Sequence, residues 1–226
     1  MIYGIHGVGK STWAASAPDA VFVPTEEGLN DIGCERFPVA KSYDEVVGRL
    51  QQLGESDHAF STLVIDSLDW LEQLIWQKVC ADKGVDSIQD IGYGKGYASA
   101  VDVWKQFLAC LDYLRDHREM SVVLVAHARI ERYENPETDG YDRYSPKLDK
   151  RASGVIAEWC DEVFFATYKV YTRVHEDGAK KITKAVGGDE RVLRCTEKPF
   201  AVAKNRLRMP DEIEMSFPAY LQFQES

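Results

Sequence analysis

Short apolar runs alternate along most of the chain with longer segments in which apolar residues recur every three or four positions. The short runs have the length and composition of buried strands, and they fall at residues 1–3, 20–23, 61–66, 121–126 and 162–166. Helical spacing fills the intervals between them, at residues 10–17, 43–53, 68–81, 97–115 and 146–158. Strands that alternate with helices in this way predict an α/β fold with a mainly parallel sheet and helices on both faces.

Two segments depart from this alternation. Residues 131–145 are polar and contain Asn-Pro and Asp-Gly pairs, which predict a long loop. Residues 169–174 and 180–186 alternate in polarity on either side of Asp177-Gly178, a strong hairpin signal, and Gly187-Gly188 predicts a second turn before residues 191–196. We therefore expect one domain over residues 1–226, with a core of about residues 1–168 and a C-terminal antiparallel β-hairpin extension of the same sheet.

Composition excludes several classes of protein. The chain has 226 residues, 45% of them hydrophobic and 28% charged, which is typical of a globular protein with a full core. No apolar run approaches the roughly 18–20 residues that cross a bilayer, so we expect no membrane partner. The five cysteines stand singly and the N-terminus has no signal-peptide pattern, which together indicate reduced thiols in a cytoplasmic protein.

Charge is distributed unevenly along the chain. The net charge is −10, but residues 169–208 carry eleven basic and five acidic residues, a local excess of +6. This asymmetry is compatible with a phosphate-binding face on an otherwise acidic protein. A solvated hairpin surface explains it equally well, so the charge alone does not decide whether nucleic acid is a partner.

The strongest chemical signal is a phosphate-binding loop at residues 4–11. The sequence Gly-Ile-His-Gly-Val-Gly-Lys-Ser fits the pattern G-x-x-x-x-G-K-[ST] at every position, between a predicted strand and a predicted helix. Its glycines let backbone N–H groups surround phosphate oxygens, Lys10 reaches the β- and γ-phosphates, and Ser11 supplies a hydroxyl to Mg²⁺. The predicted ATP-binding residues are Gly4, Ile5, His6, Gly7, Val8, Gly9, Lys10, Ser11 and Thr12. Only three residues precede Gly4, so the sequence leaves open whether the N-terminus is complete.

Carboxylates follow two of the predicted strands. Asp66 ends the apolar run at residues 62–65, where a parallel sheet would place it beside the phosphate loop as a second Mg²⁺ ligand with Ser11. An aspartate in this position also commonly caps a helix, although Ser67 could cap the next one. Glu26 and Glu27 follow the strand at residues 20–23, and either could activate the attacking water. We prefer Glu26 as the catalytic base and keep Glu27 as the alternative.

Three further positions are candidates with weaker support. His127 ends the strand at residues 121–126, where it could sense the γ-phosphate, and Lys204 and Arg206 could reach the ATP of a neighbouring subunit as an arginine finger does. Residues 92–97, Gly-Tyr-Gly-Lys-Gly-Tyr, form either a loop that contacts DNA or a neighbouring subunit, or a plain entry to the next helix.

The order of these motifs resembles a known family. The phosphate loop is followed by strands that end in Thr25-Glu26 and Asp66-Ser67, by Gly-Tyr-Gly-Lys-Gly-Tyr, by Ala126-His127, and finally by Lys204-Asn205-Arg206. This arrangement is similar to the phage-encoded RecA-like ATPases of the AAA_24 kind, which include the Sak-four single-strand annealing proteins. The resemblance extends over nearly the whole chain.

The resemblance implies a RecA-like P-loop NTPase core and a cytoplasmic phage protein that works in a bacterial host cell. It implies an ATPase that uses ATP and Mg²⁺, binds single-stranded DNA in recombination or strand annealing, and forms a homo-oligomer with ATP at subunit interfaces. By this analogy Glu26 polarises the water, His127 ends the sensor strand, and residues 129–151 occupy the place of a DNA-binding loop. That segment carries six acids beside its basic residues, and the sequence leaves open whether a single-strand-binding protein is also a partner.

Two other functions remain compatible with the sequence. The chain could be a binding module that uses ATP only to assemble, or a regulatory or partner-loading ATPase that never binds DNA. Fold resemblance does not choose among these functions, because unrelated activities share this fold.

Overall fold

The computed structural model describes residues 1–177 and 180–224, and the side chains of residues 171–186 are outside the description. A single ten-stranded sheet runs through these residues. The strands are β1 (Ile2–Gly4), β2 (Ala20–Pro24), β3 (Glu35–Arg36), β4 (Thr62–Asp66), β5 (Ser121–Tyr133), β6 (Tyr141–Pro146), β7 (Glu162–Asp177), β8 (Lys180–Arg194), β9 (Lys204–Asn205) and β10 (Glu212–Glu214). The order across the main sheet is β10-β8-β7-β1-β5-β4-β2-β3, with β6 paired to β5 and β9 paired to β7.

Six α-helices and one 3₁₀ turn lie between or after the described strands. The helices are α1 (Lys10–Ala15), α2 (Tyr43–Glu55), α3 (Leu68–Lys83), α4 (Lys95–Arg118), α5 (Lys150–Trp159) and α6 (Phe217–Leu221), and the 3₁₀ turn is Ile88–Asp90. Over the described part of the chain, no helix is both long enough and apolar enough to cross a membrane.

Both faces of the sheet are covered, as the alternation of strands and helices predicts. On β4, Leu63 and Ile65 join the larger core with α2, α3, α4 and α5, whereas Val64 joins a second core with α1 and α6. Successive strand residues point to opposite faces, so near-continuous apolar runs are required when neither face is exposed to water. The predicted α/β fold with a mainly parallel sheet and C-terminal antiparallel strands is therefore confirmed.

The prediction of a long loop at residues 131–145 is wrong. This segment forms most of an antiparallel hairpin in which β5 continues past the core and pairs with β6, from Ala128 opposite Pro146 to Tyr133 opposite Tyr141. The Asn-Pro and Asp-Gly pairs fall in the connection between the two strands. The strands themselves gave no apolar signal because the hairpin is largely exposed; Ile130, for example, is 63% accessible. The helix predicted from residue 146 begins only at Lys150, where the Asp149 side chain accepts a hydrogen bond from the Arg151 N–H.

The C-terminal hairpin is partly as predicted. The backbones of β7 and β8 pair in antiparallel fashion as far as Asp177 opposite Lys180, and the predicted turn residue Gly178 lies outside the described residues. The predicted turn at Gly187-Gly188 is wrong, because β8 runs on from Lys180 to Arg194. The pairing register shifts at this point, between Tyr168 and Val170 on β7. Glycine inside a strand commonly marks such a bulge.

Lys204, a candidate for contact with a neighbouring subunit's ATP, lies with Asn205 in a short strand. They form β9, which pairs with Glu162 and Val163 at the amino end of β7. The phosphate loop follows the carboxyl end of β1, which is parallel to β7. Lys204 and Arg206 therefore lie near the amino ends of the central strands, whereas the phosphate loop of their own chain lies at the carboxyl ends.

At that end of the sheet, the Lys204 side chain is hydrogen-bonded to the C-terminus of α5. Its ammonium group donates to the carbonyl oxygens of Ala157 and Glu158, each at 2.9 Å, and to that of Cys160. Arg206 forms an exposed ion pair with Asp161. A lysine at a helix C-terminus satisfies carbonyls that have no partner within the helix and also offsets the helix dipole.

We expect Lys204→Ala to lower the free energy of unfolding by about 1.5–3 kcal/mol, the range for hydrogen bonds to a charged group. Arg206→Ala is the matched control, because an exposed ion pair contributes at most about 1 kcal/mol. Urea denaturation of both variants measures the difference. Equal losses in the two variants would contradict this structural role for Lys204.

Candidate nucleotide-binding site

The carboxyl ends of the central parallel strands meet around one cavity. Gly4 at the end of β1 is in register with His127 on β5, and Pro24 at the end of β2 is in register with Asp66 on β4. The cavity has a volume of about 340 Å³ and is lined by the phosphate loop together with Glu26, Asp66 and His127. The strand-end residues predicted from the sequence are thus brought to one site.

The phosphate loop has the conformation that its glycines predict. Gly7 and Gly9 have φ values of 73° and 98°, in the left-handed region that favours glycine. A Cβ on Gly4 would lie 2.3 Å from the Ala166 carbonyl oxygen on β7, so this glycine allows β1 and β7 to approach closely. Helix α1 begins directly after Gly9, at Lys10.

Lys10 is buried, and its side chain contacts the backbone of the phosphate loop. Its ammonium group donates to the carbonyl oxygens of Gly4 at 3.1 Å and Ile5 at 3.0 Å. Burial lowers the pKa of Lys10, while the nearby carboxylates, Asp66 first among them, oppose the shift. A buried ammonium group within a loop of backbone N–H groups is well placed to bind a phosphate.

Ser11, on α1, and Asp66, at the end of β4, both line the cavity. Asp66 is buried, and burial raises its pKa although Ser11 and Lys10 oppose the shift. Mg²⁺ in nucleotide sites binds to one or two protein oxygens, several waters and the substrate phosphates. One hydroxyl and one carboxylate beside a phosphate loop fit that requirement, so these two residues could hold the metal of a nucleotide·Mg²⁺ complex.

Glu26 is held in the cavity by the residue that follows Asp66. The Ser67 hydroxyl donates to Glu26, and the Thr25 hydroxyl donates to the Ser67 carbonyl oxygen at 2.7 Å. Ser67 occupies the cap position of α3, but its side chain accepts no helix N–H there, so the expected capping role is wrong. Burial raises the pKa of Glu26, against the Ser67 hydrogen bond. Glu27, the alternative base, lines the rim of the same cavity and is exposed.

His127 has a partner that the sequence analysis missed. Its Nδ1 lies 3.0 Å from both carboxylate oxygens of Asp69, and its backbone N–H donates to Asp69 Oδ1 at 3.1 Å. Burial opposes ionisation of Asp69, but these hydrogen bonds hold its pKa below the usual value. An ionised carboxylate only accepts, so Nδ1 carries the proton and Nε2 is left for another partner. Asp69 lies three residues after Asp66, on the first turn of α3, and that spacing was the available signal.

Tyr168 and Arg191 support the phosphate loop from outside. The Tyr168 hydroxyl donates to the Gly7 carbonyl oxygen at 3.3 Å, and the Arg191 guanidinium lies 5.7 Å from the centre of the Tyr168 ring. A Cβ on Gly9 would lie 2.8 Å from that guanidinium. No sequence signal marks these residues, because the pairing of β7 with β8 brings them to the loop.

The Gly-Tyr-Gly-Lys-Gly-Tyr segment is a helix entry with one exposed aromatic ring. Gly94 caps α4 with φ 70°, and a Cβ on Gly96 would lie 2.5 Å from the Ile88 carbonyl oxygen. Tyr97 packs edge-on against Trp76, with ring centres 5.6 Å apart. Tyr93 is fully exposed. The geometry explains Gly94 and Gly96 structurally, and it leaves Tyr93 and Lys95 exposed for a contact role.

Fold and site together define a P-loop NTPase. The family model for an AAA domain, AAA_24, matches residues 1–207, and the chain belongs to this family of nucleotide-binding ATPase domains. The chain is also similar to the SPbeta prophage-derived uncharacterized protein YorG of Bacillus subtilis strain 168, at 25% identity over 206 residues. That match covers 88% of this chain and 57% of the relative, so the chain spans little more than half of the relative's length.

Proposed function

We propose that this chain binds ATP·Mg²⁺ in the cavity at the phosphate loop, hydrolyses it, and in its ATP-bound form binds single-stranded DNA in phage recombination or strand annealing. The observation that carries the ATPase part is the convergence of Lys10, Ser11, Asp66 and Glu26 on one cavity. The family membership supports nucleotide binding, and the prophage origin of YorG supports the phage setting.

The site residues divide the work of hydrolysis. Lys10 binds the β- and γ-phosphates, while Ser11 and Asp66 supply the metal ligands. Bound Mg²⁺ neutralises charge that develops on the phosphates in the transition state. Glu26, held by Ser67, takes a proton from the attacking water, and its raised pKa makes it a better base than an exposed glutamate. His127, which is hydrogen-bonded to Asp69, contacts the γ-phosphate and so senses its presence.

Single-stranded DNA is the proposed partner because the basic excess of the chain lies in residues 169–208. Several of these cations pair with acids, as Lys198 does with Asp211 and Arg194 does with Glu212. The cations on the β5–β6 hairpin are also paired, since Arg129 bonds to Glu131 at 2.9 Å. We assign the DNA contact to the lysines of β8, because Lys180, Lys181 and Lys184 are closely spaced in the sequence of this basic segment.

ATP-dependent assembly is the second part of the proposal. The −10 net charge opposes DNA binding by a single chain, and an assembly would present several copies of the basic hairpin. Lys204 and Arg206 lie at the end of the sheet opposite their own phosphate loop, so any action on ATP would be on the ATP of a neighbouring chain. This trans role remains a proposal beside the structural role of Lys204 at α5.

We expect the affinity for a labelled single-stranded oligonucleotide to be greatest with a non-hydrolysable ATP analogue and weaker with ADP or no nucleotide. Replacing Lys180, Lys181 and Lys184 together by serine should weaken binding without sequence preference. Each DNA phosphate that the variant no longer neutralises should make the slope of log K against log salt less negative by about 0.7. Fluorescence anisotropy over a salt series measures both quantities.

The matched control replaces three lysines on α3 and α4, namely Lys78, Lys83 and Lys105, and should retain the wild-type slope. Equal loss of affinity in both triple variants would indicate a general charge effect and no binding face. Negligible DNA binding in all nucleotide states at low salt, with nucleotide binding intact, would overturn the DNA proposal and favour a regulatory ATPase.

A further inference from the structure

Two histidines are stacked against each other at the mouth of the cavity. The rings of His6, in the phosphate loop, and His127, on β5, have centres 3.9 Å apart and an interplanar angle of 27°. His127 is fixed from behind by Asp69, whereas His6 is exposed and lines the cavity. The general loop pattern requires only the backbone of residue 6, so this side chain has no role in the mechanism described above.

We propose that His6 is a γ-phosphate-responsive residue, which takes up a proton from solvent when a nucleoside triphosphate fills the loop and so favours triphosphate over diphosphate. This inference rests on the proposed binding of ATP at the phosphate loop. It adds to that function a side chain that distinguishes the two nucleotide states.

The charges around His6 explain why it is neutral before a nucleotide binds. Its pKa is lowered first by the neighbouring His127, then by burial, and then by Lys10 on α1 and Lys147 after β6. Only Asp69 on α3 acts in the opposite direction among these groups. An imidazole near the ammonium groups of Lys10 and Lys147 resists protonation until negative charge is brought to the same place.

A γ-phosphate would supply that negative charge. Lys10 occupies the position for the β- and γ-phosphates, and it is one of the groups that lower the pKa of His6. Phosphate oxygens bound at Lys10 offset its charge and act directly on the imidazole. A diphosphate leaves the γ-position vacant and therefore has a smaller effect on His6.

The expected pH dependence follows from the direction of these shifts. His6 has a lowered pKa in the free protein and a higher pKa with the triphosphate bound, so the bound state holds more protons between the two values. The triphosphate therefore binds more tightly as pH falls through this range, and the gain is complete below the free-state pKa. Each pKa unit of difference corresponds to about tenfold in affinity.

The test is isothermal titration calorimetry of the wild-type chain with a non-hydrolysable ATP analogue and with ADP, both with Mg²⁺. Titrations near pH 6.5, in buffers whose ionisation enthalpies differ, give the number of protons taken up, and we expect more for the analogue than for ADP. His6→Phe should keep the ring stack but remove that difference. His117→Gln, an exposed histidine at the end of α4, should keep it.

Each outcome bears on the inference in a defined way. Binding with the same proton uptake in wild type and His6→Phe, or equal uptake for analogue and ADP, would overturn the role of His6 and leave ATP binding intact. No heat of binding with either nucleotide would overturn the proposed function as well. If His6→Phe does not fold, His6→Gln removes the titrating ring with a smaller side chain, and the same comparison applies.

Discussion

Glu26→Gln is expected to bind ATP with nearly wild-type affinity and to hydrolyse it about 10²–10⁴-fold more slowly, the range for loss of a general base. The glutamine retains an oxygen that can accept the Ser67 hydroxyl, so the geometry of the site is kept while its basicity is lost. Steady-state phosphate release, with nucleotide affinity measured separately, separates the two effects.

Glu27→Gln is the matched control, because this residue lines the same cavity but is exposed at its rim. It should retain most of the activity. A larger loss in Glu27→Gln than in Glu26→Gln would move the base by one residue. The wild-type rate should also fall as pH decreases through the pKa of Glu26, and burial places that fall at a higher pH than for an exposed glutamate.

Lys10→Ala is expected to weaken ATP binding by about 30-fold to several thousand-fold, which corresponds to about 2–5 kcal/mol for truncating one partner of a buried charge pair. Lys10 is the cation that the loop places against the β- and γ-phosphates, and its ammonium group is within hydrogen-bond distance of the loop itself. A fluorescent ATP analogue titrated into the variant measures the affinity.

Lys78→Ala is the control for Lys10→Ala, since Lys78 lies on the surface of α3 in an ion pair with Asp82. It should bind ATP as the wild type does. Thermal unfolding of both variants shows whether the fold is retained. Unchanged ATP affinity in a folded Lys10→Ala variant would contradict the assignment of the phosphate loop.

Residues that belong to local patterns were predictable from the sequence. Lys10 and Ser11 belong to a contiguous motif, Asp66 ends β4, and His127 directly follows the apolar run of β5, so the parallel sheet brings them together. The role of Asp69 as the partner of His127 was not predicted, because their contact depends on how α3 packs against β5. Arg191 reaches the phosphate loop only through the pairing of β7 with β8, a long-range contact that local pattern does not encode.

The errors in the predicted fold also concern features that local sequence pattern does not encode. The β5–β6 hairpin was interpreted as a loop because an exposed hairpin needs no apolar stripe on either face. The place of Lys204 in the sheet could not be predicted, because a strand of two residues carries no pattern that gives its partner or its direction. The structure pairs Lys204 with Val163, and it gives the Lys204 ammonium group three carbonyl partners.

The central claim is that the cavity at the phosphate loop hydrolyses ATP. The most direct measurement is a single-turnover assay in which γ-labelled ATP is incubated with an excess of the chain and Mg²⁺. We predict that the wild type releases the label as inorganic phosphate in an exponential phase, and that Glu26→Gln retains bound, uncleaved ATP over the same time. Phosphate release by the wild type that is no faster than release by Lys10→Ala would contradict the claim.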